Sequence, residues 1–272
     1  MSKKTFQPIQ AQLTVSRKEY LTPHYIRVYL TGEKVPLFAN TTVGINNKIL
    51  IPPKGVDTVY FPELDKEANT WKLQSEEVQP IRRTYTHRGI DLDKNEIWID
   101  FVAHGDEGPA SAWAIQAKKG DVLGVLMKDG KMELYRKADH YLLVGDATAI
   151  PVLGAILEDL PAEAKGICII EVYGEEDEQD LKTKADMDII WLHNEHPQNG
   201  SRLADMVRKQ LLPEGSRSGY VAAEYSSVKS IRHYLRKEKG WKQDELYAYS
   251  YWKAGVTEDK STADRQQEKR ES

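Results

Sequence analysis

Cysteine is almost missing from this chain. Cys168 is the only one in 272 residues, which excludes an internal disulfide and any cysteine-ligated zinc or iron–sulfur centre. It lies inside the apolar run ICIIEV and reads as a packed core residue rather than a redox thiol. Long hydrophobic runs are also missing. None approaches the roughly 18 residues needed to cross a bilayer, and the start MSKKTFQPIQAQ lacks the apolar stretch of a secretion signal. The expectation is a soluble, cytoplasmic protein with no membrane insertion. Neither sign of charge dominates: 38 Lys and Arg stand against 42 Asp and Glu, a net charge of -4, too little for generic binding to nucleic acid or anionic lipid. Electrostatic recognition must be local, and redox chemistry needs a borrowed cofactor. The histidines show no metal pattern, since His193 and His196 in WLHNEHP sit at a strand end running into a proline.

With 40% hydrophobic residues, the chain can fill two ordinary cores. In HYIRVYL, Ile26, Val28 and Leu30 share one face, and in EIWIDFVA so do Ile97, Ile99, Phe101 and Ala103. Period two means half-buried antiparallel strands. QAQLTVS, GINNKILI, RTYTH and DVLGVLM add four more. One helix, ASAWAIQAKK before Gly120, accompanies them, so residues 1–136 predict a six-stranded antiparallel β-barrel. Residues 55–74 read as an insertion or long loop. From about Arg136 the apolar runs YLLVGD, GICIIEVY, MDIIWLH, GYVAAE and LYAYSYW become near-continuous and alternate with the helical patterns AIPVLGAILEDL, SRLADMVRKQLL and SSVKSIRHYLRKEKG. That alternation predicts a doubly wound parallel sheet over 137–255, with Ser201 capping the second helix. Residues 256–272 form a polar extension, either a tail or a solvated helix.

Three segments could carry chemistry. In IRRTYTHR, residues 81–88, Arg83 and Tyr85 share one face of a strand, and Thr84 and Thr86 share the other. A ligand along the strand would meet a cation, a ring and a hydroxyl, which suits a flavin nucleotide; an ordinary surface strand has the same ingredients. HGDEGPASAWA, residues 104–114, opens a helix with Gly-Pro-Ala-Ser and offers backbone N–H groups to phosphate, or simply starts a helix. YLLVGDATAIPVLGAILEDL, residues 141–160, is a β-α crossover of nucleotide-binding type, but Thr148 stands where a second glycine would bring a diphosphate closest.

In order, RRTYTHR, FVAHGDEGPASAWA with KKGD, YLLVGDATAIPVLGAILEDLP, WLHNEH, YVAAEYSSVKSIRHYLRKEKG and YSYWKAGVTED resemble the siderophore-interacting proteins. This branch of the ferredoxin-NADP reductase superfamily reduces ferric siderophores through a bound flavin. The resemblance spans roughly residues 10–260. It implies that Arg83, Tyr85 and Thr86, with Arg88 nearby, hold FAD, and that His104, Gly108, Pro109, Ala110 and Ser111 wrap its diphosphate beside Trp113. Asp146, Thr148 and Ala149 would edge the nicotinamide side, with Glu224 and the Tyr251–Trp252 pair nearby. Electrons would pass through the flavin, so no side chain is assigned a catalytic role.

The substrate would be an anionic ferric siderophore, catecholate or hydroxamate, attracted by Lys48, Lys253 and Lys260. Glu171 and the acidic run Glu175 to Glu178 would accept ribose hydroxyls and repel a 2′-phosphate, while Asn194 stands where many relatives place arginine. NADH is therefore expected over NADPH, and reduced ferredoxin is a second donor. A general flavin or quinone reductase, or a siderophore carrier with a structural flavin, remain the other readings.

Overall fold

The structure, a computed structural model, describes residues 8–65, 70–72, 74–106, 108–212 and 214–257. The chain divides after Met132 into two compact units, Met1–Met132 and Glu133–Ser272.

The first unit is antiparallel. Its main sheet contains β1 (Pro8–Thr22), β2 (Tyr25–Thr31), β3 (Asn46–Ile51), β6 (Ile81–Thr86), β7 (Gly89–Asp91), β8 (Glu96–Val102) and β9 (Val122–Lys128), and a hairpin of β4 (Glu63–Asp65) and β5 (Thr70–Lys72) lies within the expected insertion. The spatial order is β6-β3-β9-β1-β2-β8-β7, seven strands where six were expected. The alternation fixes the core as anticipated. Ile26, Val28 and Leu30 of β2 and Ile97, Ile99 and Phe101 of β8 are fully buried, each contributing about 1.5–3 kcal/mol of hydrophobic stabilisation. The 15-residue β1 pairs with β9 up to Thr14 and with β2 from there on, and an irregularity between Val15 and Arg17 accompanies the change of partner.

The extra strand comes from a break, and the break closes the barrel. β6 and β7 lie at opposite ends of the sheet order yet are separated only by His87 and Arg88. His87 still bonds to β3's approach, donating to Ile45 O at 2.8 Å and accepting from Gly44 N at 2.7 Å, whereas Arg88 N donates to Trp98 O of β8 at 3.1 Å. One segment thus serves both edges. Only glycine fits at its far side, because a Cβ on Gly89 would lie 2.1 Å from the Trp98 ring.

The second unit contains β10 (His140–Asp146), β11 (Lys165–Val172), β12 (Asp186–His193), β13 (Arg217–Glu224) and β14 (Leu246–Trp252), all parallel, in the order β12-β11-β10-β13-β14. The connection turns outward in opposite directions from β10, the switch point at which doubly wound sheets receive ligands beyond their C-terminal strand ends. Helices α2 (Ile150–Asp159), α3 (Leu203–Lys209) and α4 (Tyr225–His233) lie between strands, and α1 (Pro109–Gln116) belongs to the first unit. Cys168 is fully buried in the sheet. Arg202, rather than Ser201, occupies the N-cap of α3, while the Ser201 hydroxyl accepts from Leu203 N at 3.0 Å. No described helix is long and apolar enough to cross a membrane.

The pivot His87 is fully buried, and neither ring nitrogen has a hydrogen-bond partner among the described residues. Burial, with the Lys131 ammonium adding repulsion, pushes its pKa down from 6.5 to about 4. The unfolded chain takes up this proton near pH 6.5 and the folded chain only near 4, so the stability held above the higher value is lost as pH falls through the interval, by about 3 kcal/mol. Urea unfolding at a series of pH values between neutral and about 4.5 should show this loss, and His87→Phe should flatten that part of the profile.

Candidate functional site

In the first unit, β6 delivers Tyr85 to an aromatic row. Its ring centroid lies 4.5 Å from Phe101, which in turn lies 5.6 Å from Trp113 of α1. Tyr85 and Trp113 remain partly exposed against the core, so a ring face is available for stacking. Arg83, two residues back on the same face, is half-buried, and its Nη1 donates to Arg82 O at 2.8 Å. Thr86 is buried. On the opposite face Lys48 of β3 stands across from Thr84 and donates to its hydroxyl.

Arg88 opens onto a charged cluster that sequence reasoning missed. Arg27 binds Asp100 with both arms, Nε to Oδ1 at 2.7 Å and Nη2 to Oδ2 at 2.8 Å, and Arg88 Nε stands 4.0 Å from the same Oδ2. Burial works against the Arg27 charge, but its bonds to Asp100 outweigh that and raise its pKa. Two guanidinium groups sharing one carboxylate leave a local surplus of positive charge. The Tyr25 hydroxyl is buried beside them without a hydrogen-bond partner among the described residues, and burial raises its pKa well above 10. The available signal was positional: Arg27 and Asp100 each break an apolar strand on its outer face, but only the pairing register shows that they are opposite one another.

The loop after β8 leads into α1. Ser111, 1% exposed, ties this loop together by accepting from His104 N at 3.1 Å and donating to Gly105 O at 2.6 Å. Its hydroxyl is thus engaged within the loop, and the part it plays in any diphosphate site is to shape the backbone. The His104 ring lies over Gly108, where a Cβ would come within 2.6 Å of Cε1. Gly108 is the N-cap, with no side-chain cap bond and no acidic residue in the first turn; Pro109 follows at the first position, and Ala110 is buried. At the other end, Lys18 Nζ donates to Ala114 O at 3.2 Å and to Ile115 O at 2.5 Å, which fixes the helix axis. An uncapped helix start, a ring platform and the Arg83 and Arg88 cations fit a flavin dinucleotide with its diphosphate.

In the second unit, four of the residues assigned to the nicotinamide side gather around one carboxyl group. Asp146, at the end of β10, accepts from Thr148 N at 2.9 Å and Thr148 Oγ1 at 2.5 Å through Oδ1, and from Glu224 N at 2.9 Å and Trp252 Nε1 at 2.7 Å through Oδ2. Burial raises the Asp146 pKa, and these donors oppose the rise. The Glu224 carboxylate caps α4, taking Ser226 N at 2.5 Å and the Ser226 hydroxyl. Ala149 is fully buried. Lys253 holds its ammonium 4.8 Å from the centroid of the Tyr225 ring, and the Tyr251 hydroxyl lies 3.3 Å from that of Tyr220. Lys260 lies outside the described residues.

The acidic run is less available than its sequence suggested. Glu171 is 3% exposed and accepts from Asn194 Nδ2 at 3.0 Å, Ser201 Oγ at 3.0 Å and Arg202 N at 3.2 Å. Asn194 also donates to Gly200 O at 2.8 Å, and Glu178 Oε1 lies 2.8 Å from His193 Nε2. Asp177 is buried, while Glu175 and Glu176 are exposed.

Comparison with known proteins identifies the family. The model of the siderophore-interacting FAD-binding domain matches residues 14–132, and that of the siderophore-interacting protein matches residues 138–255. Ferric vibriobactin reductase ViuB of Vibrio cholerae is 35% identical over 245 residues, 89% of each chain. The siderophore-interacting protein SipS from Aeromonas hydrophila superposes with a TM-score of 0.81 at 29% identity, covering 96% of this chain and 98% of that one. A ferredoxin NADP+ reductase from Neisseria gonorrhoeae, with bound FAD and NADP, shares the fold alone: 12% identity and a TM-score of 0.58 over 89% of this chain and 98% of that one. The chain therefore belongs to the siderophore-interacting protein family, with an FAD-binding barrel followed by a parallel α/β unit.

Proposed function

We propose that the protein is an FAD-dependent ferric-siderophore reductase that works in the cytoplasm and passes electrons from NADH or reduced ferredoxin, with NADPH less favoured, to iron(III) held by an anionic siderophore. The observation that carries this reading is the closing segment of the barrel, where Arg83, Tyr85, Thr86 and Arg88 lie in the same unit as the uncapped start of α1. FAD, when bound, supplies the exchange between a two-electron hydride donor and one-electron reduction of ferric iron. The protein's part is to bind, orient and shield. Tyr85, backed by Phe101 and Trp113, provides the ring platform; Arg83 and Arg88 balance the diphosphate charge; His104 and the Gly108–Ser111 turn shape the backbone around it.

Asp146, Thr148, Ala149, Glu224 and Trp252 form the donor side, in the second unit. NADH is favoured over NADPH because Asn194, held by Glu171 and Gly200, brings no cation to a 2′-phosphate. Lys48 and Lys253 are the cations proposed to attract the chelate; Lys260 has the same role on sequence grounds alone. Reduction loosens the chelate, because hard catecholate or hydroxamate oxygens prefer the more highly charged ion.

The purified protein should be yellow, and anaerobic addition of a ferric siderophore to the prereduced protein should restore the oxidised flavin spectrum. Yellow protein that no ferric chelate reoxidises would favour a carrier with a structural flavin, and indifference to the chelate alongside fast reduction of quinones would favour a general reductase. Arg83→Ala should weaken FAD at least about tenfold, a loss of roughly 1.4 kcal/mol, measured by flavin fluorescence on refolded or deflavinated protein. Lys48→Ala should raise KM for an anionic ferric catecholate severalfold with little change in kcat, and this rise should shrink as salt increases.

A further inference from the structure

In the charge cluster on the outer face of the barrel, Arg27 and Arg88 stand unequally toward Asp100. The difference bears on the cofactor site and rests on the FAD reading above, in which Arg88 is one of the cations assigned to the diphosphate. Arg27 has an acidic residue opposite it on each neighbouring strand, Glu19 on β1 and Asp100 on β8. Glu19 is exposed, so water satisfies it. The Asp100 side chain is 1% exposed, and a buried carboxylate left without a counterion is costly. Arg27 accordingly turns to Asp100 and occupies both of its oxygens, Nε to Oδ1 at 2.7 Å and Nη2 to Oδ2 at 2.8 Å.

Arg88 reaches the same carboxylate by another route. It lies where the closing segment changes partners, and its backbone N–H donates to Trp98 O on the strand that carries Asp100. Its Nε stands 4.0 Å from Oδ2, the oxygen that Arg27 Nη2 already holds. That separation allows ionic attraction but is too long for a hydrogen bond. The two guanidinium groups therefore compete for one anion, and the register between β2 and β8 gives it to Arg27. Tyr25, whose buried hydroxyl lies in the field of the same three groups, can offer Asp100 a hydrogen bond but no charge. Deprived of Arg27, Asp100 would draw Arg88 toward itself, and a guanidinium bound to an internal carboxylate has less charge and fewer N–H groups to give a phosphate.

We propose that Arg27 is a positioning residue for FAD: by saturating Asp100 it keeps Arg88 from capture by that buried carboxylate and so holds Arg88 for the diphosphate. Arg27 acts on the cofactor through two other side chains. Its influence therefore depends on the phosphates of the flavin and disappears when Asp100 loses its charge.

The full-length protein, stripped of flavin, is titrated with FAD and with riboflavin, which carries no phosphate, and binding is followed by flavin fluorescence. Arg27→Gln should raise the FAD dissociation constant at least about tenfold while changing that of riboflavin by less than about twofold. Adding Asp100→Asn to Arg27→Gln should return FAD to within about threefold of the unsubstituted protein, since a neutral amide has little hold on Arg88. Equal losses for FAD and riboflavin, or a double variant as weak as Arg27→Gln alone, would mean that Arg27 only braces the fold and would overturn the proposal. Should Arg27→Gln not fold, Asp100→Asn alone serves: FAD should bind within about threefold of the unsubstituted protein or more tightly, whereas a weakening of about tenfold confined to FAD would show that Asp100 itself aims Arg88 and would overturn the proposal. Arg88→Ala separates this role from the cofactor reading. It should weaken FAD at least as much as Arg27→Gln does. If it leaves FAD unchanged, the assignment of Arg88 to the diphosphate fails and takes the role of Arg27 with it; if it weakens FAD and Arg27→Gln does not, the cofactor site stands and the role of Arg27 is overturned.

Discussion

A barrel has no free edge only when some segment bonds to both of its sides, and in the first unit that segment is Ile81–Asp91. The constraint has a local cost, since the backbone must change partners within two residues, at His87 and Arg88. It also has a local benefit. The segment is held by β3 along β6 and by β8 along β7, and the side chains it carries include Arg83, Tyr85 and Arg88. The charge cluster of Arg27, Arg88 and Asp100 then braces the outer end of the crossing, and Gly89 leaves room for Trp98 beneath it. The residues proposed to meet the cofactor are therefore also the residues that complete the fold.

The second unit meets a different problem in more than one way. Parallel strands ending at one edge leave helix starts with unbonded N–H groups; Glu224 caps α4, whereas α2 and α3 begin without a side-chain cap, and Asp146 and Glu171 are bonded in the turns before them. Fold and ligand preference separate at this point: the topology alone suggests a dinucleotide site, while the side chains at its rim decide what can enter.

Much of the architecture was legible in the sequence because it rests on periodicity. Alternating Ile26, Val28 and Leu30, and the unbroken runs such as YLLVGD, announce half-covered and fully covered strands respectively, and both are found. The short β7 escaped because three residues carry no period, and its existence follows from the closure rather than from its composition. The segment proposed to meet flavin was visible as a motif, but the pairing of Asp100 with Arg27 was not, because it depends on register between β2 and β8. Glu171 looked like a ligand for ribose because it precedes an acidic run; its partners lie 23 to 31 residues further along the chain, beyond the reach of any local pattern. Ser111 was read correctly as part of the helix-opening turn, yet the use of its hydroxyl could be seen only in three dimensions.

The bond between Trp252 and Asp146 joins the last strand of the second unit to its first, across 106 residues. During synthesis the chain emerges from its N-terminus, and β10 is made long before β14. Until that final strand appears, the buried carboxyl group of Asp146 lacks one of its donors, so the α/β unit cannot reach its finished packing progressively from one end. Its completion waits for β14 to be made, whereas the barrel, whose seven strands all precede Met132, is free to fold while the remainder is still being made.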